Sequence, residues 1–133
     1  MYFVSSSARS SLAEIEALKK GGRQNFRDNS EYEYFRLCAE LNRILLKYPD
    51  AQRITFSFKT YNDDQLKLSQ ISIPNMKKFG GNVRWADKHT YKVGKADEAI
   101  EKINTDLTSA GYGVNTYSMR LVSIITEYSL TVT

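Results

Sequence analysis

Residues 53–74 read RITFSFKTYNDDQLKLSQISIP, and the way this stretch divides decides which kind of fold the chain adopts. From Arg53 to Thr60 the apolar side chains fall on every second position. Ile54, Phe56 and Phe58 lie on one side, and Thr55, Ser57 and Lys59 on the other. A period of two marks a strand with one buried face. Tyr61 to Gln65, YNDDQ, reads as the turn of a hairpin, because Asn and Asp bond to nearby backbone and favour turns. Leu66 and Leu68 then continue on even positions, whereas Ile71 and Ile73 are odd. Side chains that change parity within one strand reach the same core only if a residue is inserted, so a β-bulge is expected near Ser69 and Gln70. Pro74 ends the strand or sits at its edge.

Helical patterns flank this hairpin. Tyr34, Leu37, Cys38, Leu41, Ile44, Leu45 and Tyr48 recur at the spacing of one helical face. Ser30 and Glu33 form a capping-box pattern at its start, and Pro49 stops it. Ser11 and Glu14 repeat the capping pattern before a narrower stripe, Leu12, Ile15 and Leu18, which Gly21 and Gly22 end. A third helix is expected from Ala96 to Ala110, burying Ala96, Ile100, Ile103 and Leu107 and closing at Gly111. Tyr2 to Ser5 reads as a short first strand. Val114 to Thr133 reads as either one strand bulged near Leu121 or a hairpin turning near Thr126, since buried-type residues switch parity there.

The order of elements implies an α+β chain, a single domain over residues 1–133, built as a two-layer sandwich. Three helices would cover one face of a mostly antiparallel sheet of about four to five strands. With the first strand in the sheet, a ferredoxin-like arrangement with an extra helix is the specific topology to expect.

A chain of 133 residues can bury a core without disulfides or metal to hold it together. No apolar run is long enough to span a bilayer, so no membrane partner is expected. The opening MYFVSSSARSS lacks the basic and apolar regions of a secretory signal, and the lone Cys38 fits a reducing compartment, so a cytoplasmic location is expected. The formal charge of +4 is unevenly distributed. Its concentration is KKFGGNVRWADKHTYKVGK, residues 77–95, which holds six basic residues, one acid, and the only Trp and His of the chain.

One His and one Cys do not assemble a zinc site, and no cofactor or metal is expected. A Cys38–His89 dyad is formally available, but Cys38 lies on a core face. Asp63 and Asp64 fall in the hairpin turn, where Asx residues serve the backbone. GYG at 111–113 follows a helix, the reverse of the order a phosphate cradle needs. KVGKADEA has the right order, placing Lys92, Gly94 and Lys95 at a helix start, although Asp97 and Glu98 in the first turn would repel an anion. Lys19, Lys20, Arg23 and Arg27 with Phe26 form a second basic cluster whose lysines also suit a helix C-terminus.

The expected site is therefore the basic, aromatic segment. Lys77, Lys78, Arg84, Lys88, Lys92 and Lys95 would contact phosphates or other anions, and Trp85 and Tyr91 would stack on bases. The leading reading is a non-catalytic binding protein for nucleic acid, a nucleotide or an acidic protein surface. In its brevity, tyrosine richness and abundance of Ser, Thr and Asn, the chain resembles small bacteriophage accessory proteins. This implies the alternative of an inhibitor or accessory protein acting by protein contact, with TEYSLTVT as an unprotected strand for sheet addition or homo-oligomer formation. The opening YFVSSSARSSL followed by helices, a hairpin and a later βα unit is also similar to phage S-adenosylmethionine-degrading lyases, which implies a third reading as a small enzyme on a nucleotide-like substrate. No position matches a catalytic glutamate or nucleotide-binding tyrosine motif of that family.

Overall fold

The computed structural model describes residues 2–9, 28–74, 89–122 and 125–133. A 3-10 turn at Ser6–Ala8 is followed by helix α1 (Asn29–Lys47), strands β1 (Ile54–Thr60), β2 (Gln65–Ser72) and β3 (Thr90–Lys92), helix α2 (Ala96–Ser109), and strands β4 (Val114–Val122) and β5 (Ile125–Val132). The strands form one sheet in the order β3-β2-β1-β5-β4, antiparallel throughout.

The hairpin forms as its alternation dictates. Phe58 pairs with Leu68 and Ser57 with Gln70, so Ser69 is the extra residue, and its hydroxyl donates to the Ser57 carbonyl at 3.1 Å. The bulge turns Ile71 and Ile73 to the face that already holds Leu66 and Leu68, and all four are buried. Without it the two isoleucines would point outward, each at a cost of roughly 1.5–3 kcal/mol. The turn serves the next layer too: the Asp64 carbonyl accepts from Val93 N–H at 2.9 Å, and the Asp63 carbonyl from Ala96 N–H at 2.6 Å. A backbone carbonyl thus satisfies one of the orphan amides at the start of α2.

Both helices bury the stripes their spacing announces, against the same face of the sheet. The cap of α1 is Asp28 rather than Ser30. Its side chain accepts from Glu31 N–H at 2.9 Å and from the Ser30 hydroxyl at 2.8 Å. At the end of the chain β4 and β5 form a hairpin, but Thr126 is paired within β5 rather than in the turn, and the register shifts between Arg120 and Val122.

Three expectations are corrected. Among the described residues there are two α-helices, not three, and the helix expected around residues 11–20 lies outside them. Tyr2 to Ser5 is not a strand. Val4 N–H instead donates to Oδ1 of the buried Asn42 on α1 at 3.0 Å. With no first strand in the sheet, and β1 at its centre, the observed order is not the ferredoxin-like one.

Residues 2–9 act as a strap joining the two helix ends. Arg9 donates from Nε to the Leu45 carbonyl at 2.6 Å and from its terminal nitrogens to Tyr48 at 2.7 Å and Ala51 at 3.4 Å. Those carbonyls lie at and just beyond the end of α1, where a cation is favoured both by the orphan acceptors and by the helix dipole. Ser6 does the same for α2: its amide donates to the Ala110 carbonyl at 2.8 Å and its hydroxyl to Gly111 at 3.1 Å. Gly111 has φ +98°, and a Cβ there would meet the Ser6 hydroxyl at 2.5 Å, so glycine is required by both conformation and space.

Replacing Arg9 with Ala should therefore lower unfolding stability by about 2 kcal/mol, and Lys should restore only part because it lacks the planar fork. Urea denaturation checks this, and an unchanged midpoint in Arg9→Ala would remove the capping role.

Candidate functional site

The alternation that buries one face of the sheet leaves the other to polar side chains. With both helices on the buried face, the opposite face carries Thr55, Ser57 and Lys59 of β1, Lys67, Gln70 and Ser72 of β2, Thr90 and Lys92 of β3, and Ser129 and Thr131 of β5. Tyr117 and Met119 of β4 complete it, 62% and 45% exposed. Hydroxyls line its middle: Ser57 is opposite both Ser129 and Gln70, and Thr55 is opposite Thr131, their hydroxyls 3.1 Å apart.

Charge is gathered at one end. Lys59 lies directly opposite Lys67, which in turn lies opposite Thr90, two residues from Lys92. Like charges at directly opposed positions are destabilising, by up to roughly 1 kcal/mol. Glu127 is the other cross-strand neighbour of Lys59. None of the three lysines forms an ion pair with a described carboxylate. The arrangement offers ammonium groups and hydroxyl donors on one face of the sheet, which suits an anionic partner.

The residues chosen from sequence meet different fates. Lys92 lies on this open face. Lys95 is exposed and sits 3.8 Å from Glu98, which with Asp97 places two acids in the first turn of α2, where carboxylates complement the helix dipole. The adjoining cleft of about 210 Å³ is lined by Asp28, Glu31 and Glu98 as well as Lys95 and Lys102, which does not favour an anion there. Tyr91, expected to stack on bases, is 4% exposed and belongs to the core, with its ring edge-on to His89 at 4.5 Å. Lys77, Lys78, Arg84, Trp85 and Lys88 lie outside the described residues, as do Lys19, Lys20, Arg23, Phe26 and Arg27.

Lys59 and Lys67 were passed over in the sequence because they stand singly in alternating strands. Parity alone places each on the polar face. Their opposition becomes visible only with the hairpin register, and the bulge lies just beyond them.

His89, Cys38 and Tyr34 sit among neighbours of their own. His89 lies with its Nε2 3.5 Å from Glu33, and Cys38 is fully buried, so each is held by different neighbours and no dyad is formed. The Tyr34 hydroxyl donates to Asp106 at 2.5 Å, and Lys102 stands 4.4 Å over the Tyr34 ring. Burial pushes both Tyr34 and Cys38 well above their ordinary values, so the thiol stays protonated and unreactive. No group of three or more metal-ligating side chains occurs among the described residues, and none of their helices is long and apolar enough to cross a membrane. Compared with protein-family models, curated proteins and solved structures, the chain finds no match.

The buried Tyr34–Cys38 pair sets an alkaline limit. In the unfolded chain these groups ionise near 10.0 and 9.0, whereas folding holds them protonated, so stability is full below that range and falls as pH rises through it. Each group should contribute a slope of about 1.4 kcal/mol per pH unit. Denaturation at pH 8 to 11 should show Tyr34→Phe with a shallower alkaline decline than the wild type, roughly one group's worth. An equal slope would place the loss elsewhere.

Proposed function

We propose that this chain is a small non-catalytic binding module that holds a polyanion, a nucleic acid strand in the first place, across the open face of its sheet. The basic segment 77–95 contributes to the same binding, with Arg84 and Lys88 supplying charge and Trp85 a stacking ring. Tyr91 has no part in stacking, because it is buried.

One observation carries the reading: Lys59 opposite Lys67, with Lys92 on the neighbouring strand of the same face. This pairing weakens the sheet in the absence of an anion, and a bound phosphate between the two ammonium groups would reverse the sign of that interaction. The flat row of Ser and Thr hydroxyls beside it supplies further donors for phosphate or sugar oxygens. Sequence preference would be slight, since lysines and hydroxyls on an open sheet contact the backbone of a strand rather than base edges.

Fluorescence anisotropy with a labelled single-stranded oligonucleotide tests this. Affinity should fall tens-fold between about 50 and 200 mM salt. The Lys67→Glu/Lys92→Glu double variant should bind at least ~10-fold more weakly and with a log–log salt slope smaller by about 1.4. Its thermal midpoint should hold, because Lys67→Glu turns a repulsive cross-strand pair into an attractive one. Absence of binding by the wild type at low salt would reject the function. Binding retained by that variant but lost in Arg84→Glu/Lys88→Glu would reject the sheet face as its location. Polyglutamate competing as well as the oligonucleotide would reject nucleic acid in favour of an acidic protein.

A further inference from the structure

The strand TEYSLTVT, expected to be unprotected, is in fact interior: β5 is paired with β1 on one side and β4 on the other. The open edge is β4, VNTYSMRLV, a strand of nine residues with no Pro, no Gly and one charge, Arg120. Edge strands are ordinarily kept from pairing by brevity, charge, proline or an early bulge. At the other edge β3 is three residues long. β4 has a register shift only beyond Arg120, so positions 114–120 are regular, and among the described residues nothing pairs with their outer side.

The ladder shows which backbone groups face outward. Gly113 and Thr133 exchange both hydrogen bonds, at 3.0 and 2.9 Å. In an antiparallel pair such exchanges alternate, so Asn115, Tyr117 and Met119 turn their N–H and C=O toward β5. Thr116, Ser118 and Arg120 turn theirs away from it, toward the open edge.

We infer that β4 pairs antiparallel with β4 of a second copy of this chain, in the register centred on Ser118, joining two five-stranded sheets across a two-fold axis. Three features select that occupant and that register. First, Ser118 meets Ser118, and Thr116 meets Arg120 of the second copy, so every outward backbone group from Thr116 to Arg120 finds a partner. Second, Tyr117 falls opposite Met119 of the second copy, and the reverse. The two large apolar side chains exposed on this strand then cover each other in close, non-hydrogen-bonded pairs, with a sulfur–aromatic contact. Third, a groove of about 500 Å³ runs between α2 and β4, lined among others by Asp97, Glu98, Glu101, Thr116 and Tyr128. Arg120 shares the face of Thr116, so Arg120 of the second copy sits beside Thr116, at the rim of this acidic groove. The register centred on Tyr117 also pairs the outward backbone groups but lacks the second and third features: it sets Met119 against Asn115 and Arg120 against Val114. The contact is isologous and closes after two copies. It stands on the edge and the groove and is independent of the polyanion reading.

Sedimentation equilibrium at micromolar to about 100 μM concentration should give a mass twice that of the 15.2 kDa chain. Ser118→Pro removes an amide that points away from β5, so the β4–β5 ladder and the circular dichroism spectrum should survive while the mass falls to that of one chain. Arg120→Glu should raise the dimer dissociation constant at least 10-fold through repulsion from Asp97, Glu98 and Glu101. Ser118→Cys should cross-link on air oxidation, since opposed hydrogen-bonded positions lie about 5.5 Å apart and Cys38 is buried. A wild-type chain that stays monomeric throughout, or a dimer unaffected by both Ser118→Pro and Arg120→Glu, overturns the inference. A dimer lost in Ser118→Pro that does not cross-link through Cys at position 118 overturns the register.

Discussion

One inserted residue, Ser69, governs how this sheet is used. A strand that changed parity without a bulge would send two isoleucines to the solvent side, and no single layer of helices could then cover the apolar surface. With Ser69 displaced from the ladder, Leu66, Leu68, Ile71 and Ile73 share a face with Ile54, Phe56 and Phe58. Both helices follow onto that face because it is the only apolar one. The opposite face is left polar for the same reason, and Lys59, Lys67 and Lys92 stand on it.

Two helices on one layer bring a second difficulty, since their C-terminal carbonyls end close to the core. The strap of residues 2–9 resolves it by satisfying both ends from one short segment, Arg9 at α1 and Ser6 at α2. Arg9 is half-buried, and that burial pulls its pKa below the ordinary guanidinium value, while the three carbonyls it faces compensate the charge. A cation placed there for its acceptors cannot be read as a surface charge. Counting Arg9 into a basic patch would have been an error of the same kind as counting Tyr91 into a stacking platform.

Two local concentrations of charge stand on different faces. Lysines gather on the open sheet face, while Asp97, Glu98 and Glu101 border the groove on the helix face beside β4. A modest net charge of +4 therefore conceals two fields of opposite sign. One suits an anionic strand lying across the sheet, the other the arginine of a neighbouring copy. Pairing at β4 would extend the open face across the two-fold axis and set two lysine clusters on a common surface.

The sequence by itself determined what depends on near neighbours. The stripe from Tyr34 to Tyr48, the alternation of Ile54 to Phe58 and the parity change that demands a bulge all follow from how successive side chains point along one element. It also sufficed to read Cys38 as a buried hydrophobe, because its position in the stripe fixed its environment. Strand order was not accessible in this way. Whether β5 or β4 forms the edge depends on which strand docks against β1, a long-range choice made by the packing of Leu130 and Val132 into the common core. The same holds for Lys59 and Lys67, eight positions apart in the chain yet opposed in space by register, and for Tyr91, whose aromatic ring looked available among lysines until β3 turned it inward. Local periodicity says which side a residue is on; only the assembled sheet decides what that side faces.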